Sequence, residues 1–150
     1  MTELTFKIEY LNMLDKELED YICSLDGVVE VKTNTDKDEI YIKYDYKIIS
    51  IMRLVMEVKL FLSLTNTPSI INFDKHTKQD TTKILLNIGD GCCEYCLKGF
   101  IEKLILIDGI EQANADYKDY DFFNISIEIS YDNNIFNDTT INDLASKYYD

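Results

Sequence analysis

One pattern occurs twice along the chain and limits it more than any other feature. An alternating apolar strand leads into an amphipathic helix that stops at an Asp-Gly turn, and a second apolar run follows at once. In the first copy Leu4, Phe6, Ile8 and Tyr10 alternate with Thr5, Lys7 and Glu9, the period of a strand with one buried face. Leu14, Leu18, Tyr21, Ile22 and Leu25 then form one helical stripe, and Asp26-Gly27 ends it. Val28 to Val31 and Ile40 to Tyr44 read as two strands of a hairpin, with Thr33 to Asp38 as its polar connection. A second helix is expected from about Ile48 to Leu64, then a short strand at Ile70 to Phe73. The only proline, Pro68, falls between them, where a rigid turn costs no helical hydrogen bond.

After the polar bridge His76 to Thr82 the order begins again. Ile84 to Ile88 is a strand, and Leu97, Phe100, Ile101 and Leu104 share a helix face. Ile107-Asp108-Gly109-Ile110 repeats Leu25-Asp26-Gly27-Val28, and Ile125, Ile127, Ile129 and Tyr131 alternate with Ser126, Glu128 and Ser130. A last helix from about Thr140 to Tyr149 places Ile141, Leu144 and Tyr148 together, with no evident fourth strand after it. The expected fold is α+β: two tandem ferredoxin-like (βαββαβ) units, residues 1–76 and 83–150, each an antiparallel sheet with helices on one face. A single mixed α+β domain is the alternative.

Charge removes several classes of partner. Fifteen basic against 28 acidic side chains leave a net charge of −13, which repels phosphate backbones and anionic lipid surfaces. From Ile105 onward the only bases are Lys118 and Lys147, so this half favours a cation or a basic partner surface. No uncharged apolar run is long enough to span a bilayer; the greasiest stretch, Ile48 to Leu64, is broken by Arg53, Glu57 and Lys59. Met1 to Thr5 shows no basic region ahead of an apolar run, so the expected compartment is the cytoplasm, where thiols stay reduced.

Three of the four cysteines, Cys92, Cys93 and Cys96, fall within five residues between the fifth expected strand and its helix. Two residues between Cys93 and Cys96 let both sulfurs reach one ion from a single turn. A helix N-terminus favours their thiolate forms, which are the forms that bind metal. Two thiolates suit digonal Cu(I). Cys92, Asp90 and Glu94 add donors for a three- or four-coordinate Zn(II) or Cd(II) site. A thioredoxin-like redox loop is the competing reading of this spacing, but the chain has no tryptophan and no proline near a later strand.

The run Ile88-Gly89-Asp90-Gly91-Cys92-Cys93-Glu94-Tyr95-Cys96 to Leu104, closed by Ile107-Asp108-Gly109-Ile110, resembles the heavy-metal-associated domain of copper chaperones and of the N-terminal modules of metal-transporting P-type ATPases. The resemblance implies a metal site at Cys93 and Cys96, joined by Cys92. It also implies delivery of the ion to a metal-transporting ATPase or metallochaperone, here one with a basic docking surface. Gly91 stands where that family usually has methionine.

In the first copy Tyr10 to Asp15 takes the place of the cysteine loop without a thiol, so this copy reads as a scaffold or docking module. Met13 reads as core filler, Cys23 as a small apolar residue beside the first helical stripe, and His76 as an exposed bridge residue. No arrangement for acid–base or nucleophilic catalysis is present in the sequence, so no enzyme is expected. The alternative function is an adaptor on a ferredoxin-like scaffold whose thiols are vestigial or redox-active.

Overall fold

Leu4, Phe6 and Ile8 lie completely buried at alternate positions of the first strand, and the rest of the first unit is organised around them. The computed structural model describes residues 2–8, 15–64, 70–76, 80–89, 94–116 and 125–149. They form an α+β structure with antiparallel strand pairing and divide into two compact units, Met1–His76 and Thr77–Asp150.

The first unit comprises β1 (Thr2–Ile8), α1 (Asp15–Cys23), β2 (Val28–Asn34), β3 (Glu39–Tyr44), α2 (Ile51–Leu64) and β4 (Ile70–Asp74). Its sheet order is β2-β3-β1-β4, the split βαβ order of the ferredoxin-like fold. β1 pairs antiparallel with both neighbours, so Phe6 lies between Ile40 and Phe73. Leu18 and Ile22 of α1 and Leu54, Val55, Val58 and Leu62 of α2 complete the core. Each such side chain contributes about 1.5–3 kcal/mol by leaving water.

The second unit comprises β5 (Thr81–Gly89), α3 (Glu94–Ile105), β6 (Ile110–Asp116), β7 (Ile125–Asp132) and α4 (Asp138–Tyr149). β7 pairs antiparallel with β6 on one side and β5 on the other. Leu86, Ile110, Ala113, Ile127, Ile129 and Tyr131 from the strands meet Phe100, Ile101, Leu104, Ile105 and Ile141 from the helices in its core. Among the described residues no strand occupies the second edge of β5.

The two units share their backbone geometry in detail. Phe6 faces Ile40, four residues before Tyr44, and Leu86 faces Ile127, four before Tyr131. Gly27 and Gly109 take φ of 96° and 97°, open without strain only to glycine. A Cβ there would lie 2.7 Å from Ile49 Cγ2 and 2.8 Å from Phe136 Cε2. The N–H of Asp45 donates to the Gly27 carbonyl at 2.8 Å, and that of Asp132 to Gly109 at 2.8 Å. Each of these aspartates accepts at Oδ1 from a backbone N–H two residues on, Lys47 at 3.0 Å and Asn134 at 2.9 Å. Both second strands carry a bulge, between Val28 and Glu30 and between Ile110 and Gln112.

Several expected boundaries move, each for a local reason. α2 begins at Ile51 rather than Ile48 because the Asp45 carbonyl accepts from the N–H groups of Ile48 and Ile49, forming a turn, and Ser50 Oγ caps the helix by accepting from Arg53 N–H at 3.1 Å. α4 starts at Asp138 because Asn137 is its cap, accepting from Thr140 N–H at 2.9 Å. Thr81 and Thr82 belong to β5 and not to the bridge. Cys23 is exposed: it follows Ile22 by about 100° around the helix, which turns it off the buried stripe. Tyr10, Met13, Leu14 and Pro68 lie outside the described residues, as do the side chains of Leu97, Leu144 and Tyr148.

Candidate metal-binding loop

Two rigid elements frame the cysteine loop. β5 is held along its length by β7, from Thr81 opposite Asp132 to Gly89 opposite Ile125, with a register irregularity between Asn87 and Gly89. α3 is anchored farther along by Phe100 (2% exposed) and by Ile101, Leu104 and Ile105, which are wholly buried. Residues 90–93 join the end of β5 to the start of α3. Asp90, Gly91, Cys92 and Cys93 lie outside the described residues. Of Cys96 the backbone is described, and it belongs to the first turn of α3; its side chain, like that of Glu94, lies outside.

The corresponding connection of the first unit is longer: residues 9–14 join β1 to α1, whereas residues 90–93 join β5 to α3. Two fewer residues separate Phe6 from Gly27 than separate Leu86 from Gly109, and no cysteine occurs in the connection 9–14. α1 is a nine-residue helix and α3 a twelve-residue one, and both end four residues before their glycine. The two-residue difference falls on the elements: α3 is three residues longer than α1 and β5 runs one residue further past Leu86 than β1 does past Phe6, while the connection is two residues shorter.

The other candidate donors sit elsewhere. His76 is exposed, with a positive φ of 53°, and closes the end of the first unit. Its ring Nε2 meets Thr5 Oγ1, its backbone N–H donates to Asp74 Oδ1 at 2.8 Å, and its ring packs edgewise 6.1 Å from Tyr41. Among the described residues no group of three His, Cys, Asp or Glu side chains is placed to hold a metal ion, and no helix is long and apolar enough to cross a membrane.

Among the described residues three tyrosine hydroxyls bond to carboxylates. Tyr21 donates to Glu57, which also accepts from Arg53 Nε at 2.8 Å; these bonds hold the Glu57 carboxyl below its ordinary range and push the Tyr21 phenol up. Tyr131 donates to Asp138 and is pushed up in the same way. Glu3 raises Tyr41 to about 12, chiefly by a hydrogen bond to its hydroxyl.

One feature escaped the sequence reading. Met52, Met56 and Leu60, one turn apart on α2, are all more than half exposed. The signal was in the composition of α2, which is apolar on more than one face.

No family model matches the chain, and no curated protein sequence matches it. Solved structures similar to it include the N-terminal soluble domains of Bacillus subtilis CopA, at 11% identity and a TM-score of 0.41, covering 97% of this chain and 87% of that one. A structure of the water-soluble region of the P-type ATPase CopA from Bacillus subtilis shows 10% identity and a TM-score of 0.42, covering 97% and 85%. The N-terminal extension of Cupriavidus metallidurans CzcP shows 17% identity and a TM-score of 0.37, covering 97% and 95%.

Proposed function

We propose that the chain is a tandem pair of ferredoxin-like units, the second of which binds a soft heavy-metal ion through Cys93 and Cys96, with Cys92 as a third donor, and passes it to a partner. The observation that carries this reading is backbone placement: the cysteine run connects the end of β5 at Gly89 to α3, and Cys96 lies in the first turn of that helix. The unpaired N–H groups and positive dipole end of a helix start favour the thiolate. Two thiolates match linear Cu(I), and a third donor extends the site toward Zn(II) or Cd(II).

Transfer proceeds by ligand exchange. A partner thiolate forms a bond to the ion before a Cys93 or Cys96 bond breaks, so the ion passes through three-coordinate states and is never free. Each cysteine that ligates releases its proton, and each that lets go takes one up. No organic bond is made or broken, and the chain is not an enzyme. The setting is a reducing compartment such as the cytoplasm, and the partner is a metal-transporting ATPase or metallochaperone with a basic docking surface. The first unit serves as scaffold or docking module.

Titration of the reduced chain with Cu(I) and Zn(II) against competing chelators tests this. One equivalent is expected to bind, and the double substitution Cys93→Ser with Cys96→Ser is expected to weaken binding at least about a thousandfold, or ~4 kcal/mol. Stoichiometric binding that survives the double substitution, or no binding to the intact chain, refutes it.

A further inference from the structure

Every described strand except β5 carries an acidic residue; β5 reads Thr81-Thr82-Lys83-Ile84-Leu85-Leu86-Asn87-Ile88-Gly89. Among the described residues it has one strand neighbour, β7, whereas β1, its counterpart in the first unit, also pairs antiparallel with β4. The open edge shows in the packing. Leu4, opposite Ile42, is wholly buried, but Ile84, opposite Ile129 at the equivalent place, is only half-buried. On the other face Leu85 is 66% exposed where the first unit has Thr5. A strand with apolar side chains on both faces and one unpaired edge is a template for a further strand. We infer that this edge pairs antiparallel with β5 of a second copy, joining two chains about a two-fold axis through strand backbone and not through the cysteines.

Charge and register select the second copy. Two chains of net charge −13 repel wherever acidic groups meet, and β5 brings none to the contact. Centred on Leu85, an antiparallel pair uses all nine residues: Leu85 faces its own copy, Ile84 faces Leu86, and Lys83, the single charge, faces Asn87. Lys83 also lies 3.7 Å from Glu128 of its own chain, which offsets its charge. The direction is that of β4 against β1, so the second copy's strand runs as the fourth strand of the first unit does.

The edge strand of the first unit is built differently. β2 carries a bulge after Val28 and the charges of Glu30 and Lys32, which blunt an edge against pairing. β5 has Lys83 alone, and its register irregularity falls at its end, between Asn87 and Gly89.

The test uses the full chain, reduced and with a chelator present, so that neither a disulfide nor a metal ion can join two copies. Sedimentation at concentrations up to about 1 mM is expected to show a reversible dimer that tightens with salt as the repulsion is screened. Hydrogen exchange is expected to slow with concentration at alternate amides of β5, those not bonded to β7. Leu85→Lys sets like charges opposite each other and is expected to weaken the dimer at least about tenfold. Because Leu85 is largely exposed, that variant keeps the fold, which its thermal melt verifies. The inference is overturned by a chain that stays monomeric, whether its β5 amides exchange freely or are already protected from within the chain. It is equally overturned by a dimer that Leu85→Lys leaves intact, that salt weakens, or that forms without slowing exchange in β5.

Discussion

At the Asp-Gly end the two units agree bond for bond, and at the cysteine end they part. Gly27 and Gly109 share φ within a degree, and the bonds from Asp45 and Asp132 to their carbonyls are both 2.8 Å. At the other end the first unit has a six-residue connection without thiols and a β1 paired on both edges, whereas the second has a four-residue connection that carries Cys92 and Cys93 and a β5 paired only with β7 among the described residues. The turn is constrained by sterics and backbone hydrogen bonds that the fold cannot do without. The strand-to-helix connections, residues 9–14 and 90–93, differ in length and in thiol content.

The strand difference is the place to press hardest. Phe6 is wholly buried between β3 and β4, whereas Leu86 is 5% exposed. Phe6→Ala is expected to cost about 3–5 kcal/mol and Leu86→Ala to fall toward the low end of about 2–5. Denaturant unfolding of both variants measures this. Equal losses would mean that the two strands are equally supported and the contrast is only apparent.

The glycines test the agreement. Gly27→Ala and Gly109→Ala should each lose about 1–3 kcal/mol from the positive φ, plus the cost of moving Ile49 or Phe136. The two losses should match within about 0.5 kcal/mol, and thermal melts that separate them by more would break the equivalence of the turns.

Titration gives the smallest effects. Hydrogen bonds from Tyr21 and Arg53 depress Glu57 in the folded chain, so the stability it adds is present above the ordinary carboxylate pKa and lost as pH falls through its lowered value. Tyr41 runs the other way. Its folded pKa of about 12 exceeds the ordinary 10.0, so its contribution is complete below pH 10 and lost as pH rises from about 10 to 12. Tyr41→Phe should flatten the alkaline limb of stability against pH, with tyrosinate absorbance showing one fewer late-titrating phenol. An unchanged limb would assign it to Tyr21 or Tyr131.

Much of this architecture is legible from side-chain periodicity. Leu4, Phe6 and Ile8, the α1 stripe of Leu18 and Ile22, and the paired Asp-Gly turns all fall where alternation and helical spacing put them. Features that depend on distant partners are not. The start of α2 depends on the Asp45 carbonyl holding Ile48 and Ile49 in a turn, and the Met52–Met56–Leu60 stripe is indistinguishable from core in a helix that is apolar on more than one side. The cysteine loop is legible as chemistry, through residue type and spacing, while Cys92 and Cys93 lie outside the described residues.

The shared bulge breaks the in–out alternation within the second strand of each unit. Inward positions in β2 are Val28, Val31 and Thr33, opposite Tyr44, Ile42 and Ile40; in β6 they are Ile110, Ala113 and Ala115, opposite Tyr131, Ile129 and Ile127. The step of three before the step of two is a change of parity. Val29 and Glu111 thus act as frame-shifting residues: without either one, each side chain beyond it would swap the core for water, although no bond of the Asp-Gly turn had been touched.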